Sequence, residues 1–299
     1  MTTILLIGAS GQVGAELSRA LLPLGTLLKP GRAECDLSRP GSLGMLVDQA
    51  RPHIIVNAAA YTAVDQAEQE PGLAMTVNAD APEALAIAAR RHGALLVHYS
   101  TDYVFDGNKS EPYVESDATH PSSAYGRSKA AGEDAIRNAG GDYLIFRASW
   151  VHGASGKNFL RTILRLAAER DSLRVVSDQI GAPTWARLIA QTTSHALRTD
   201  IGRRRSGTFE SGLFHLTAAG ACSWHGFAET IVAAARSRHM ALKCREIIPV
   251  STAEYPLQAV RPMNSRLSCA LLETRYGIRM PGWETTVPLV IDELQAARA

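Results

Sequence analysis

A short apolar run followed by three regularly spaced glycines constrains this chain more than any other feature of its sequence. Residues 4–7 read Ile-Leu-Leu-Ile, which is typical of a buried parallel strand. Gly8, Gly11 and Gly14 follow, and apolar residues then recur at helical spacing from Gln12 to Leu22. The pattern predicts a strand, a tight turn and a helix, with Gly8 in the turn, Gly11 leaving room for a ligand and Gly14 allowing close helix packing.

A turn of this kind is suited to binding a phosphate group. The first turn of a helix presents free backbone N–H groups and a partial positive charge, and both attract an anion. The spacing here is Gly-x-x-Gly-x-x-Gly instead of the commoner Gly-x-Gly-x-x-Gly. Three glycines also fit a purely structural turn in another doubly wound fold. Their position between the first strand and the first helix favours the binding of a dinucleotide.

Length and composition exclude several classes of protein. A chain of 299 residues can form two lobes, and a net charge of +2 gives no reason to expect a nucleic acid partner. No apolar run approaches the roughly 20 residues of a membrane span, and no basic and apolar leader precedes the first strand. We therefore expect a soluble, cytoplasmic protein without membrane contact. Four widely separated cysteines are expected to be reduced thiols that bind no metal: Cys35, Cys222, Cys244 and Cys269.

The end of the second predicted strand, Thr26 to Lys29, bears on the choice of cofactor. An acidic residue at this place binds the ribose 2′-hydroxyl of NAD, whereas an arginine nearby accommodates the 2′-phosphate of NADP. Lys29 and Arg32 come first here, and the acids Glu34 and Asp36 follow. The order favours NADP(H). The alternative is that the two cations are simply exposed loop residues.

Strands and helices alternate along the rest of the chain. This alternation predicts an α/β fold with a doubly wound parallel sheet of the Rossmann type. No second glycine turn follows Gly153, so we expect the later residues to form a smaller, mixed substrate-binding lobe. Arg203 to Arg205 are expected in a solvated surface turn. The predicted strands are 53–60, 94–99, 142–147, 173–176, 213–216 and 247–250, and the predicted helices are 42–50, 72–91, 125 onward, 158–169, 185–198 and 224–238.

Three polar residues near the fourth strand are candidates for catalysis. Thr101 lies two residues after this strand, and Tyr125 and Lys129 are four residues apart, so they share one face of a helix. A lysine charge stabilises a phenolate, which would lower the pKa of Tyr125 from its ordinary value of about 10. Tyr125 could then donate a proton to a carbonyl oxygen. A tyrosine and a lysine at this spacing also occur as an ordinary solvent-facing pair, and only the preceding nucleotide-binding pattern favours the catalytic interpretation.

A set of motifs now resembles a known family along nearly the whole chain. The chain is similar to the extended short-chain dehydrogenase/reductases, and within them to the dTDP-4-dehydrorhamnose reductases. The glycine and tyrosine motifs identify only the superfamily, and the later ones are more specific. The motifs are Gly8-x-x-Gly11-x-x-Gly14, Asn57-Ala-Ala-Ala-Tyr-Thr-Ala-Val-Asp65, Ser100-Thr-Asp-Tyr-Val-Phe105, Tyr125-x-x-x-Lys129, Phe146-Arg-Ala-Ser-Trp150, Asp178-Gln-Ile-Gly-Ala-Pro-Thr184 and Arg261-Pro-x-Asn-Ser-Arg266.

The resemblance implies an NADPH-dependent reduction of the C4 carbonyl of dTDP-4-dehydro-L-rhamnose, and it leaves open whether NADH is also accepted. It implies that Tyr125 delivers the proton, that Thr101 hydrogen-bonds the same oxygen and that Lys129 holds the nicotinamide ribose. The implied cofactor-binding residues are Gly8, Ser10, Gly11, Gln12, Val13, Arg32, Asp36, Leu37, Ala58, Ala59, Ala60, Tyr125 and Lys129. The implied residues around the dTDP-sugar are Thr101, Asp102, Tyr103, Tyr125, Trp150 and Arg261, although Trp150 fits a core position equally well.

The resemblance also suggests a division of the chain. Residues 1–153 with about 185–218 would form the NAD(P)-binding domain. Residues of about 154–184 and 219–299 would form the lobe for the sugar nucleotide.

One position departs from the pattern of the family. Some members dimerise through a magnesium ion held by a glutamate of the first helix and another after Gly-Ala-Pro-Thr. Glu16 occupies the first position here, but the second is Arg187, and a cation opposes a divalent metal. We expect no metal site, and a monomer or a metal-independent homodimer; Glu16 then simply favours the start of its helix.

Two other functions stay open on the sequence. One is a nucleotide-sugar epimerase or dehydratase of the same superfamily, which keeps its cofactor bound. The other is a non-catalytic, nucleotide-binding regulatory subunit, against which the intact Thr101, Tyr125 and Lys129 argue.

Overall fold

The protein is described by a computed structural model that covers residues 2–297. Within this range the strands are β1 (Thr3–Ile7), β2 (Thr26–Leu28), β3 (Ile54–Asn57), β4 (Leu95–Thr101), β5 (Tyr143–Ala148), β6 (Val151–His152), β7 (Ser172–Val176), β8 (Ile180–Gly181), β9 (Thr184–Trp185), β10 (Gly212–His215), β11 (Cys222–Ser223) and β12 (Glu246–Val250). The α-helices are α1 (Gln12–Ala20), α2 (Leu43–Ala50), α3 (Val64–Ala67), α4 (Pro71–Met75), α5 (Ala81–Arg91), α6 (Ala124–Ala139), α7 (Phe159–Glu169), α8 (Ala186–Ser206), α9 (Trp224–Arg236), α10 (Ala270–Tyr276) and α11 (Trp283–Ala296).

The main sheet of the described residues is parallel throughout and has the strand order β2-β1-β3-β4-β5-β10. The chain moves outward from β1 to β2 and then crosses back to place β3 on the other side of β1. Ligands bind at such a reversal, beside the carboxyl ends of the strands. The doubly wound sheet predicted from the sequence is confirmed.

Both faces of this sheet are covered, which explains why its strands are apolar on consecutive residues. Ile4 and Leu6 pack on one side with residues of α1 and α8. Leu5 and Ile7 point to the other side and pack with α2 and α5. Alternate residues of β1 therefore belong to two different cores, as the two-residue repeat of a strand requires.

A second lobe has its own apolar core, formed mainly by α7, α9 and α11. Its strands form small pairs within the described range: β7 with β12, β8 with β11 and β6 with β9. Between two passages through this lobe the chain returns to the main sheet, where α8 packs on α1 and β10 extends the edge beside β5.

Two local expectations need correction. The helix expected over 72–91 contains a π-helical turn at Thr76–Asp80 between α4 and α5, and the buried Asn78 of this turn donates a hydrogen bond to Ser128 Oγ (3.0 Å). Arg203 to Arg205 lie in the last turn of α8 instead of a loop. Cations are stabilised at a helix C-terminus, and Arg203 and Arg204 also pair with Asp200 and Asp142, respectively.

No helix within residues 2–297 is both long enough and apolar enough to span a lipid bilayer.

Candidate active site

The glycine turn lies where the sequence predicts it, between β1 and α1, and each of its three positions requires glycine for a different structural reason. Gly8 has a φ of +81°, and a Cβ there would lie 2.7 Å from the backbone nitrogen of Ala59. A Cβ on Gly14 would lie 1.9 Å from the Gly8 carbonyl oxygen. Gly11 differs, because only that same oxygen, at 3.3 Å, would contact its Cβ. Gly8 and Gly14 thus allow the chain to pack, and Gly11 leaves space at the N-terminus of α1 for an anion.

The small residues after β3 form the opposite side of this space. Ala58 donates a backbone hydrogen bond to the Ile7 carbonyl (3.0 Å), so the end of β3 stays beside the glycine turn. Ala58, Ala59 and Ala60 are half-buried and carry only methyl groups. The sequence-predicted cofactor residues of β1 and β3 therefore lie on either side of one crevice.

The segment after β2 presents cations to solvent and holds its acids in local turns. Lys29 and Arg32 are exposed. Glu34 accepts a hydrogen bond from the Gly31 N–H (2.9 Å), and Asp36 accepts from the Ser38 hydroxyl (2.8 Å) and N–H (3.0 Å). The bonds from Ser38 hold the pKa of Asp36 below its ordinary value. Since β2 runs parallel to β1, this segment lies at the same end of the sheet as the glycine turn.

The other predicted cofactor residues occupy different surroundings. Ser10 is exposed in the turn, Val13 packs against the core and Leu37 is buried. The Gln12 side chain faces the second lobe, where its Oε1 accepts a hydrogen bond from Asn158 Nδ2 (2.8 Å). Only the backbone of Gln12 is thus free to face the turn.

Thr101 and Tyr125 are brought together by the packing of α6 on the end of β4. Ser123 caps α6 by accepting a hydrogen bond from the Gly126 N–H (3.1 Å). A Cβ at Gly126 would lie 2.2 Å from the Tyr103 carbonyl oxygen, so a glycine here lets α6 approach. Thr101 is buried at the end of β4, and its hydroxyl donates to Asp102 Oδ1 (2.9 Å).

The pKa of Tyr125 departs from the expectation. Burial raises it to about 12, a hydrogen bond with Thr101 lowers it, and the charge of Asp102 raises it. The sequence-based expectation that Lys129 lowers the pKa of Tyr125 is therefore wrong for this structure. The physical reason is that the Lys129 amine is directed to other groups. A phenol that keeps its proton is nevertheless suited to donate it.

Lys129 is 1 % exposed and lies under β4. Its Nζ donates a hydrogen bond to the Tyr99 carbonyl (2.6 Å) and lies 3.0 Å from His98 Nε2. Burial lowers the pKa of Lys129 to about 8, and the charge of Glu133 acts in the opposite direction. Glu133 is itself held by Arg147 through two hydrogen bonds (2.8 and 2.6 Å). Among the described residues, the lysine thus has neutral hydrogen-bond partners and no carboxylate partner.

Asp102 and Tyr103 extend the site from the end of β4. Asp102 is 2 % exposed, and burial raises its pKa to about 6. Its Oδ2 has no hydrogen-bond partner among the described residues. The Tyr103 ring meets the Tyr125 ring edge to face, with centroids 5.5 Å apart. Both predicted substrate residues therefore lie against the predicted acid.

Arg261 and Trp150 are held by contacts that the sequence did not indicate. Arg261 forms two hydrogen bonds to Asp65 of α3 (2.7 and 3.0 Å). These bonds connect α3 to the segment before Asn264, a residue that forms a β-bridge with Ile180 of β8. The Trp150 indole stacks on Trp224 with centroids 3.5 Å apart. One face of Trp150 is therefore covered by protein, and the assignment of this residue to a sugar face stays a prediction.

No group of three or more potential metal-binding side chains occurs within residues 2–297. At the position where this chain has an arginine instead of the second metal-binding glutamate, Arg187 bridges two carboxylates. Its Nε lies 2.9 Å from Glu16 Oε2, and its Nη2 lies 2.5 Å from Glu293 Oε1. A guanidinium thus fills the place between these acids.

Sequence reasoning missed His98, which contacts Lys129, and Asn57, which contacts His98. Both are 1 % exposed, and Asn57 Nδ2 lies 3.3 Å from His98 Nδ1. The available signals were a histidine within a largely apolar strand and the position of Asn57 at the start of a family motif.

Comparison with known proteins identifies relatives over the full chain. A family model described as the RmlD substrate binding domain matches residues 1–296. A dTDP-4-dehydrorhamnose reductase of Burkholderia thailandensis is 53 % identical over 293 residues, which cover 97 % of this chain and 98 % of that protein.

Two solved structures are also similar to this chain. A dTDP-4-dehydrorhamnose reductase of Bacillus anthracis in complex with NADP is 35 % identical, with a TM-score of 0.87 and coverage of 98 % of this chain and 100 % of that one. A UDP-glucose 4-epimerase of Thermus thermophilus with NAD has a TM-score of 0.78, covering 99 % of this chain and 100 % of that one, but only 19 % identity. The second similarity shows the fold alone.

Proposed function

Because this chain belongs to the RmlD substrate binding domain family, we propose that it is an NADPH-dependent oxidoreductase that reduces the C4 carbonyl of dTDP-4-dehydro-L-rhamnose to give dTDP-L-rhamnose. The observation that carries the proposal is the contact between Thr101, Tyr125 and Asp102 at the carboxyl end of β4, beside the glycine turn. The full-length similarity to reductases of this name supports it. The epimerase alternative is supported by fold similarity only.

The residues present fit a dinucleotide phosphate. The space at Gly11 and the N-terminus of α1 suit the pyrophosphate, and the exposed Lys29 and Arg32 suit a 2′-phosphate. Lys129 would hold the nicotinamide ribose, and Ala58 to Ala60 would leave room for the rings. NADPH supplies the hydride when it is bound.

The protein residues then provide the proton and orient the carbonyl. Tyr125 donates its phenolic proton to the C4 oxygen, since burial keeps this group protonated at neutral pH. Thr101 would donate a hydrogen bond to the same oxygen once its hydroxyl turns away from Asp102 Oδ1. Asp102 would then accept a hydrogen bond from a sugar hydroxyl at the Oδ1 that Thr101 releases.

We also propose the two-part division of the chain given above, supported by the return of α8 and β10 to the main sheet. A cytoplasmic location is proposed from the four cysteines, which are free thiols. The assembly is proposed to be a monomer or a metal-independent homodimer.

The test is NADPH consumption by the purified protein with dTDP-4-dehydro-L-rhamnose, beside UDP- and GDP-linked ketosugars. We expect turnover with the dTDP-sugar and release of NADP⁺ in each cycle. Retention of the cofactor through many cycles would identify an epimerase or dehydratase. Binding of NADPH without turnover of any ketosugar would favour a regulatory subunit.

A further inference from the structure

The buried side of Lys129 contains a hydrogen-bonded row of side chains that the proposed mechanism does not use. The row runs from the Ala59 N–H through Asn57 and His98 to Lys129 Nζ, and ends at the Tyr99 carbonyl. Asn57, His98 and Lys129 are each 1 % exposed. Water therefore cannot replace a missing partner, and donors and acceptors along the row must match.

The polarity of the row is fixed at its Ala59 end. A backbone N–H can only donate, so the Asn57 atom that lies 3.2 Å from it is the oxygen Oδ1. The Asn57 NH₂ group then faces His98 Nδ1 at 3.3 Å. Because an NH₂ group can only donate, Nδ1 is the accepting nitrogen of the ring, and a neutral ring carries its proton on Nε2.

This tautomer has a consequence for Lys129. The Nε2–H of His98 points at Lys129 Nζ, 3.0 Å away. An ammonium group has three donors and no lone pair, so it would oppose this N–H, whereas a neutral amine accepts from it and still donates to the Tyr99 carbonyl. For Lys129 to carry a charge, the proton of the His98 ring must move from Nε2 to Nδ1. The Asn57 amide must then rotate so that its oxygen faces His98 Nδ1 instead of the Ala59 N–H.

The charged groups around Lys129 do not form an ion pair with it, so its protonation depends on the hydrogen-bonded row of Asn57 and His98. Glu133, on the same helix as Lys129, is held by Arg147 of β5. Tyr125, on the side of the reacting atoms, has a raised pKa and is neutral where Lys129 loses its proton, whereas Asp102, with a pKa of about 6, is ionised there and accepts a hydrogen bond from Thr101. No carboxylate among the described residues pairs with Lys129.

We propose that His98 is a positioning residue for the reaction, which sets the charge on Lys129 through a hydrogen-bond polarity imposed by Ala59 and Asn57. The inference rests on the proposed function, because it assigns His98 to the reduction through Lys129. The lowered pKa of Lys129, caused chiefly by burial, agrees with it.

NMR of the whole protein tests the charge directly and needs no substrate. The chain has five lysines, so ¹³C-labelled lysine gives a simple spectrum in which the Lys129→Met variant identifies the Lys129 signal. We expect Lys129 to lose its proton at a lower pH than the other four lysines. In His98→Gln the amide can turn its oxygen to the amine and accept from the ammonium, and we expect the midpoint to rise by about one pH unit.

His152→Gln is the matched control, because His152 is also buried but contacts Phe227 in the second lobe. An unchanged Lys129 midpoint in His98→Gln, or an equal change in His152→Gln, would overturn the proposal. Should His98→Gln fail to fold, ¹⁵N-histidine spectra of the unmodified protein decide. A His98 proton on Nδ1 at a pH where Lys129 is neutral would equally contradict the proposal.

Turnover provides the second measurement. The step in the pH profile of kcat/KM that follows the titration of Lys129 should move to higher pH in His98→Gln by the same amount as the Lys129 midpoint, with NADPH binding retained. A moved midpoint with an unmoved pH profile would refute the role of His98 in the reaction. If the unmodified protein reduces no ketosugar, the proposed function fails, while the NMR result still decides the coupling between His98 and Lys129.

Discussion

Replacing Arg187 by methionine should destabilise the protein, because this one side chain joins three helices. Arg187 lies on α8 and contacts Glu16 on α1 and Glu293 on α11. Methionine keeps most of the aliphatic length but removes the charge. The substitution would leave Glu293 without its guanidinium partner and Glu16 with Arg19 alone, and Glu293 Oε2 already has no hydrogen-bond partner among residues 2–297.

The magnitude follows from the exposure of the three side chains, which is 29 % for Arg187, 11 % for Glu16 and 27 % for Glu293. Exposed ion pairs contribute about 0–1 kcal/mol, and the loss of one partner of a fully buried pair costs about 3–5 kcal/mol. This cluster lies between these limits, and the Arg187 guanidinium also lies 4.8 Å from the Trp185 ring. We therefore expect a loss of about 2 kcal/mol in the free energy of unfolding, or a fall in Tm of about 4 °C for a chain of this size.

Thermal unfolding followed by circular dichroism measures the effect. Arg198→Met is the matched control, since Arg198 is an exposed arginine of the same helix, and its replacement should change stability by less than about 0.5 kcal/mol. If the two variants melt together, the three-helix contact contributes nothing and the reasoning fails.

Other predictions concern the cofactor, the acid, the buried carboxyl group and the assembly. Tyr125→Phe should lower kcat by about 10²- to 10⁴-fold with NADPH binding retained, and near-normal turnover would remove Tyr125 from the mechanism. Arg32→Ala should reduce the preference for NADPH over NADH, measured as the ratio of kcat/KM values, by about tenfold; an unchanged ratio would show that Arg32 does not contact the 2′-phosphate. Burial raises the pKa of Asp102 from 3.8 to about 6, so its ionisation lowers the stability of the folded protein above pH 6 and has no effect below about pH 4. Asp102→Asn should therefore raise Tm at pH 8 by an amount that disappears at pH 4. A gain in Tm that is independent of pH would contradict this. Magnesium and EDTA should leave the sedimentation coefficient unchanged, because Arg187 lies between Glu16 and Glu293; dissociation on chelation would show that a metal holds the assembly.

The parts of the fold that depend on local periodicity could be predicted from the sequence. The apolar run of β1 and the glycine spacing sufficed for the turn, because both are properties of adjacent residues. The four-residue spacing of Tyr125 and Lys129 likewise placed both on α6.

The surroundings of these residues could not be predicted in the same way. Lys129 was expected to face Tyr125, but it contacts His98, which is 31 residues away in the chain and lies on a strand. The partners of Arg187 come from opposite ends of the chain, at 171 and 106 residues of separation. Such contacts depend on how helices and strands pack, and periodicity carries no information about it.

The path of the chain between the two cores limits how sugar specificity can be exchanged between relatives. Because α8 and β10 return to the main sheet after the first passage through the second lobe, that lobe consists of two separate stretches of sequence. A chimera joined once, after Gly153, would combine a sheet from one parent with α8 and β10 from the other. The mismatch would fall on the apolar packing of α1 against α8 and on the contact of Phe146 with Phe214. Recombination that preserves the fold therefore needs three crossovers, one after Gly153 and one on each side of the returning segment, so that both stretches of the lobe are inherited together.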